Sequence, residues 1–214
     1  MRCRIGALLS ALGVALGGCA TIHNPLSLQD IAALRIVAVT VSFKPDVEIS
    51  WVAAEQEFVD RANAERARDP KTRHKVKMHD GVGDPAADEQ RRLVASPEGK
   101  SFVQNKVAAL IGDRLKRDIV PQLNGGREAR LEVMVHGFVV PHAVQRAVLG
   151  GVPLLLAVTV LKDARTGAEL AKLDQATAAG AGQGILGVIV DQGSLEDRVL
   201  DVYISQVRNW LLKK

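Results

Sequence analysis

The chain has 214 residues, of which 47% are hydrophobic and only 3% are aromatic, and its formal net charge is +4. Arg2 and Arg4 supply half of that charge. Because aromatic side chains are so few, the bases of a nucleic acid would have little to stack on. We therefore expect no nucleic-acid partner. The two cysteines are Cys3 and Cys19, which excludes a disulfide, a thiol nucleophile and a cysteine-based metal site from the sequence beyond residue 19.

The first 18 residues have the three-part layout of an export signal. A start that contains two arginines leads into the uncharged stretch Ile5 to Leu16, and the small pair Gly17 and Gly18 follows. A helix needs roughly 17 to 25 apolar residues to cross a bilayer, whereas this stretch has about 12. We therefore predict a signal peptide over 1–18 that is removed, and no permanent membrane span.

The segment Leu16-Gly17-Gly18-Cys19 resembles the lipobox of bacterial lipoproteins, in which a leucine stands three positions before the lipidated cysteine. The resemblance implies cleavage after Gly18, a thioether between Cys19 and diacylglycerol, and acylation of the new amine by a fatty acid such as palmitate. Several acyl chains hold a protein at a membrane, whereas a single chain binds only marginally. The resemblance also implies that Ala20, in place of an aspartate after the cysteine, fits sorting to the outer membrane with the domain on the periplasmic side, and the inner membrane is the alternative.

The chain beyond the signal is long enough for one domain, which we place at 35–214 behind a lipid-anchored tether at 19–34. Residues 35–43 are rich in β-branched side chains and predict a first strand, and Lys44-Pro45-Asp46 is expected to end it. Strand alternation places the larger apolar residues of this strand on one face, namely Val37, Val39, Val41 and Phe43.

The range from about 47 to 100 is predicted to be a charged insertion of helix and loop. Ile49 to Val52 suggests a short additional strand, and 53–68 predicts a mostly solvated helix because Phe58 and Val59 are its only large apolar residues. Residues 69–99 combine mixed charges with turn formers, which is typical of a mobile loop.

The second half of the chain predicts two helices and three strands. Residues 101–120 repeat apolar side chains at spacings of three and four, and Ser194 with Asp197 predicts the capping box of a last helix. Asp163 to Gly167 predicts a tight turn with Gly167 in the left-handed conformation. Strands are predicted at 129–140, 154–161 and 168–175. Together the elements predict an α+β fold in which a small, mostly antiparallel sheet of about four strands packs on two helices.

No motif in the sequence identifies an enzyme. Gly182 to Gly187 matches G-x-G-x-x-G by letter, but only one helix follows it, so no dinucleotide fold can be completed. No pair of histidines has the helical spacing that places two imidazoles on one metal. We predict no catalytic residue, no cofactor and no metal. A hydrolase would require His136 or His142 to meet an acid and a hydroxyl in space.

Two apolar segments that contain glycine, 147–153 and 184–190, stand on either side of the predicted hairpin. If both lie at the same end of the sheet, they form an exposed patch for a partner or for the membrane, and the alternative is that they are buried edge elements. The residues predicted to contact a partner are Leu149, Gly150, Gly151, Gly184, Ile185, Leu186 and Gly187.

Five short segments occur in a characteristic order: Leu16 to Cys19, Leu149-Gly150-Gly151, Asp163 to Gly167, Gly180 to Gly187 and the helix from Ser194. In these segments the chain resembles a group of uncharacterised Gram-negative lipoproteins described only as domains of unknown function. The resemblance covers about half of the mature chain, and the range from about 47 to 100 departs from the pattern of that group. Similar compact folds occur in envelope lipoproteins that assemble secretion pores or activate wall enzymes.

These features predict an envelope lipoprotein that binds a protein partner or its own copies without catalysis. The expected partners are the membrane, through Cys19, and a protein or a second copy of the chain. The first alternative is a carrier that holds a lipid or another amphiphile between sheet and helices. The second alternative is a hydrolase with an unrecognised site.

Overall fold

The structure, a computed structural model, describes residues 24–68, 85–141, 152–178 and 194–213. A short 3-10 turn at Val120–Gln122 joins the central helix to the second strand. In chain order the elements are α1 (Leu28–Ala32), β1 (Leu34–Trp51), α2 (Val52–Arg68), α3 (Pro85–Ala95), α4 (Pro97–Asp118), β2 (Arg127–Val140), β3 (Leu154–Asp163), β4 (Glu169–Ala178) and α5 (Leu195–Leu212).

The described strands form one sheet in the order β1-β2-β3-β4. β2 and β4 are antiparallel to β3, whereas β1 runs parallel to β2. A parallel pair requires a long crossover, and the helices α2, α3 and α4 provide it. The predicted α+β class with about four strands is confirmed, and the parallel pair makes the sheet mixed.

The core lies between one face of the sheet and the helices α4 and α5. A side chain added at Gly112 of α4 would meet Val41 of β1, and Tyr203 of α5 forms a 2.7 Å hydrogen bond with Thr159 of β3. The predicted spacing of apolar residues in α4 is confirmed, because the residues at this spacing are the ones that α4 buries. The buried large side chains are Val103, Val107, Ile111 and Leu115 in α4, and Val199, Leu200, Tyr203, Ile204, Val207, Trp210 and Leu211 in α5.

A bulge at Val37 changes which side chains of β1 face the helices. Ile36 and Ala38 pair with consecutive residues of β2, so Val37 is an extra residue, and an extra residue reverses the alternation of a strand. Ile36 is therefore buried on the same face as Val39, whereas Val37 is 47% exposed. The predicted grouping of Val37 with Val39, Val41 and Phe43 is wrong for Val37, and the other three pack against the core.

β1 does not end at Lys44-Pro45-Asp46, as the sequence predicts, but continues to Trp51. Its register with β2 shifts between Phe43 and Glu48, and Asp46 takes the left-handed φ of 59°. Proline is tolerated here because β1 is an edge strand, whose outer side needs no partner for its backbone groups. The short strand predicted at 49–52 is the last part of β1.

The predicted insertion contains helices that pack on α4. The helix predicted at 53–68 is confirmed as α2, and its Phe58 ring lies 5.4 Å from the ring of Phe102 on α4. The loop predicted over 69–99 is wrong from residue 85 onward, because Pro85–Ala95 forms α3 and Ser96 then caps α4 by accepting from the N–H of Gly99. Residues 69–84 lie outside the described part of the chain.

The chain joins the domain earlier than the predicted tether boundary at residue 34. Asn24 is only 8% exposed, and its side-chain amide donates a 2.9 Å hydrogen bond to the carbonyl oxygen of Trp210. Ile31 of α1 and Leu34 at the start of β1 belong to the core. Residues 24–34 are thus folded against the end of α5.

Candidate functional site

The residues that the sequence singles out for anchoring and partner binding lie outside the described residues. Cys19 and Gly18 precede Asn24, the first residue described. The predicted partner residues fall between β2 and β3 (Leu149, Gly150 and Gly151) and between β4 and α5 (Gly184, Ile185, Leu186 and Gly187). The structure does describe the strand ends from which both segments leave the sheet.

Both predicted partner segments leave the sheet at the same end. Val139 of β2 pairs with Leu154 of β3, and Leu154 pairs with Ala178 of β4. The connection from β2 to β3 and the connection from β4 to α5 therefore begin side by side. We call this the distal end of the sheet, and Trp51, the last residue of β1, also lies there.

The opposite end of the sheet, which we call the anchor end, carries Asn24 and α1. Leu34 pairs there with Arg127, and Ala129 pairs with Asp163 at the end of β3. β2 has 14 residues, which at about 3.3 Å per residue separates the two ends by about 45 Å. The point where the chain enters the fold is thus far from the strand ends that lead into the two predicted partner segments.

The Asp163-Ala-Arg-Thr-Gly167 motif forms the turn at the anchor end. Oδ1 of Asp163 accepts hydrogen bonds from the backbone N–H groups of Thr166 (2.9 Å) and Arg165 (3.1 Å), and Oδ2 accepts from Arg127 (3.0 Å). The Thr166 N–H, followed by the Arg127 guanidinium, lowers the pKa of Asp163 to about 2. Gly167 has φ 75°, which confirms its predicted conformation. The motif therefore closes a hairpin and fixes the start of β2.

The sheet face that points away from α4 and α5, which we call the open face, carries an apolar row with charges around it. Strand alternation places the half-buried Leu154, Leu156, Val158 and Val160 of β3 there, and Met134 of β2 is 45% exposed beside them. Six charged residues on this face form the ion pairs Arg35–Glu128, Glu132–Lys162 and Lys172–Asp174.

A cavity of about 260 Å³ opens on this face around His136, which stands at a bulge of β2. A hydrolase site would need a histidine, an acid and a hydroxyl around one cleft. The cavity brings together the first two, but serine, threonine and tyrosine are absent from its described lining, and His142 lies outside the described residues. The lining consists of His136, Leu156, Ala157, Val158 and Asp174.

A second cavity, of about 250 Å³, lies where the irregular part of β1 meets α2, α3 and α4. The carboxylate of Glu55 accepts a 3.1 Å hydrogen bond from the backbone N–H of Trp51 and thereby holds the start of α2. No sequence motif predicts this cavity, because four separate elements line it. Its lining combines acidic, basic and apolar side chains: Asp46, Val47, Ile49, Glu55, Val94, Lys100, Val103 and Gln104.

Ser194 caps the start of α5, and acidic residues of the helix join it to α4. The Ser194 hydroxyl accepts a 3.2 Å hydrogen bond from the N–H of Asp197, which confirms the predicted helix start. The guanidinium of Arg114 on α4 forms ion pairs with Asp201 and, at 3.7 Å, with Asp197. The spacing of Ser194 and Asp197 could predict the helix cap. It could not predict the ion pairs with Arg114, because this residue belongs to another helix.

The space between sheet and helices, where a carrier would hold its ligand, is lined by tightly packed side chains. Leu131 and Leu161 on the sheet, Ile111 on α4 and Leu211 on α5 are all fully buried there. Within the described ranges, no group of three or more His, Cys, Asp or Glu residues is placed to hold a metal ion. None of the helices in these ranges is long and apolar enough to span a bilayer.

Comparison with known proteins gives one distant structural similarity. No family model and no curated protein match the sequence. Among solved structures, the chain is similar to the crystal structure of lipoprotein GNA1162 from Neisseria meningitidis, at 16% sequence identity and a TM-score of 0.30. The match covers 85% of this chain and 99% of that chain.

Proposed function

We propose that the protein is an envelope lipoprotein, anchored through Cys19 on the periplasmic side of the outer membrane, that binds a protein partner or a second copy of itself without catalysis. The anchoring part is supported by Leu16-Gly17-Gly18-Cys19, whose small residues before the cysteine fit a lipoprotein peptidase. Ala20 supports the outer membrane over the inner membrane.

The binding part is carried by one observation, the apolar row on the open face that runs to the distal end. Leu154, Leu156, Val158 and Val160 form this row, and Met134 adds a side chain that is 45% exposed. An apolar surface with a charged border is typical of a protein interface. A partner seated at the distal end would contact this row beside the strand ends from which the two predicted partner segments leave the sheet.

The lining of the His136 cavity also favours binding over catalysis. Leu156 and Val158 offer apolar contact, while His136 and Asp174 provide polar atoms at the rim. A cavity of this size fits one large apolar side chain of a partner. The imidazole and the carboxylate then serve as hydrogen-bonding groups around that side chain.

The binding proposal is tested by a photo-crosslinking amino acid placed at Met134, with a matched position at the exposed Glu65 on α2. In the intact envelope we expect Met134 to give one discrete adduct, with this chain or with a single partner, and Glu65 to give none. Adding Val158→Asp should abolish the adduct and leave the far-UV circular dichroism unchanged. Identical products from both positions would contradict the proposal, and co-purified lipid beyond the N-terminal acyl chains would favour the carrier.

The anchoring proposal is tested by the mass of the N-terminal peptide and by fractionation of the envelope. We expect a peptide that begins at Cys19 and carries three acyl chains, in the outer-membrane fraction. Cys19→Ala should abolish both the added mass and the membrane association. An unmodified N-terminus would refute lipidation, whereas lipidated protein in the inner-membrane fraction would refute only the location.

A further inference from the structure

The lipidated residue and the folded domain are separated by very little chain. Asn24 is the fifth residue after Cys19, and a chain reaches at most about 3.6 Å per residue, or about 18 Å in all. Asn24 is itself fixed: it donates to the Trp210 carbonyl oxygen at 2.9 Å, and its side-chain oxygen accepts from the N–H of Leu26 at 3.0 Å. A domain held at this distance must turn its anchor end toward the bilayer.

The helix α1 presents an apolar side chain outward at this point. The Ser27 hydroxyl accepts from the N–H of Asp30, and the Asp30 carboxylate accepts from the N–H of Ser27, both at 3.0 Å. This capping box fixes the short helix with Ile31 turned into the core. Leu28, the first residue of the helix, is 66% exposed and is the most exposed large hydrophobic residue in the described part of the chain.

Basic side chains accompany Leu28 at the anchor end. Arg165 in the turn after β3, Lys213 at the end of α5 and Arg127 at the start of β2 are all exposed. The hydrogen bonds of Ser27 lower the pKa of Asp30, with smaller contributions from the charges of Arg127 and Lys213, which places both cations close to α1. An exposed leucine at an end of the domain that also carries long, exposed basic side chains suits the headgroup region of a bilayer.

We propose that the anchor end of the domain lies directly on the lipid bilayer, with Leu28 inserted at the level of the headgroups. This inference rests on the lipidation of Cys19 and deepens it, because the membrane is then a partner of the folded domain as well as of the acyl chains. The long axis of the sheet points away from the bilayer. The distal end consequently stands about 45 Å from the membrane, which is the length of β2.

The test uses the lipidated full-length protein in vesicles of phosphatidylethanolamine and phosphatidylglycerol. Leu28→Cys carries an environment-sensitive fluorophore, and the matched control is Ala53→Cys, which is also exposed and lies at the distal end. The thioether blocks Cys19, so each variant has a single reactive thiol. Spin-labelled lipids should quench the probe at position 28 several-fold more strongly than the probe at position 53. Because Leu28 is exposed, the label leaves the core undisturbed.

The outcomes separate this inference from the function on which it rests. A lipidated, vesicle-bound protein whose two probes are quenched equally overturns the contact of Leu28 with the bilayer and leaves the anchoring intact. An N-terminal peptide without acyl chains overturns both. A photo-crosslinker at Leu28 that forms a protein adduct in the native envelope also overturns the inference, because a protein then covers this side chain.

Discussion

A buried hydrogen bond between Tyr203 and Thr159 helps to hold α5 on the sheet. Both residues are fully buried, and their oxygen atoms are 2.7 Å apart. Tyr203→Phe removes one oxygen and leaves the Thr159 hydroxyl without its partner, which costs about 1–3 kcal/mol for a buried polar group. For a domain of this size each kcal/mol lowers the melting temperature by about 2–4 °C. We therefore expect a clear loss of stability from a change of one atom.

The double variant Thr159→Val, Tyr203→Phe isolates the interaction. It leaves no unsatisfied hydroxyl and nearly preserves side-chain shape, so it should cost less than the sum of the two single variants. Urea unfolding can be followed through Trp210 and Trp51, which are 1% and 9% exposed. A loss below about 0.5 kcal/mol for Tyr203→Phe, or strict additivity in the double variant, would refute this account.

Three further predictions concern the turn, a close backbone contact and titration at high pH. The pKa of Asp163 is lowered to about 2 in the folded protein, so its stabilisation is complete above about pH 4 and is lost as the pH falls toward 2. Asp163→Asn should accordingly reduce the urea midpoint at pH 6 and match the unmodified protein near pH 2. Gly125→Ala would collide with the backbone carbonyl of Ala33 and should cost about 1–3 kcal/mol in thermal unfolding, whereas Gly126→Ala faces open space and should stay within about 0.5 kcal/mol. Burial raises the pKa of Tyr203 above its ordinary value of 10, so stability should fall above pH 10 more steeply in the unmodified protein than in Tyr203→Phe, as urea midpoints between pH 9 and 11 would reveal.

The elements with a repeated local pattern could be predicted from the sequence. The helix α4 could be predicted because its apolar residues repeat at helical spacing over several turns. The hairpin between β3 and β4 could be predicted because Asp163 and Gly167 are typical residues of a tight turn. The bulges at Val37 and His136 could not be predicted, because an extra residue is defined only by the register of the partner strand. Each bulge reverses the alternation, so a strict period of two assigns the wrong face beyond it.

Only a contiguous motif can mark a candidate site in the sequence. Leu16 to Cys19 predicts lipidation in this way, and that site stays a prediction. The His136 cavity has no such motif, because it exists only once β2, β3 and β4 are in register. The docking of Asn24 on Trp210 joins residues 186 positions apart. Asn24 stands before a proline, and a polar residue in this position is typical of a loop. No feature of the neighbouring sequence indicates that its side chain packs on a distant helix.

The parallel pairing of β1 with β2 has a consequence for the order of folding. The strands β2, β3 and β4 follow one another along the chain. By contrast, β1 pairs with β2 only after the whole stretch that contains α2, α3 and α4, so that Leu34 comes to lie beside Arg127. Closing so long a loop costs more entropy, and pairings of this kind form slowly. We expect β1 to join the sheet last, after a period in which the edge of β2 is unpaired. In that interval the β1 of a second copy can occupy the same edge, so strand exchange through β1 is the route to a dimer that this topology offers.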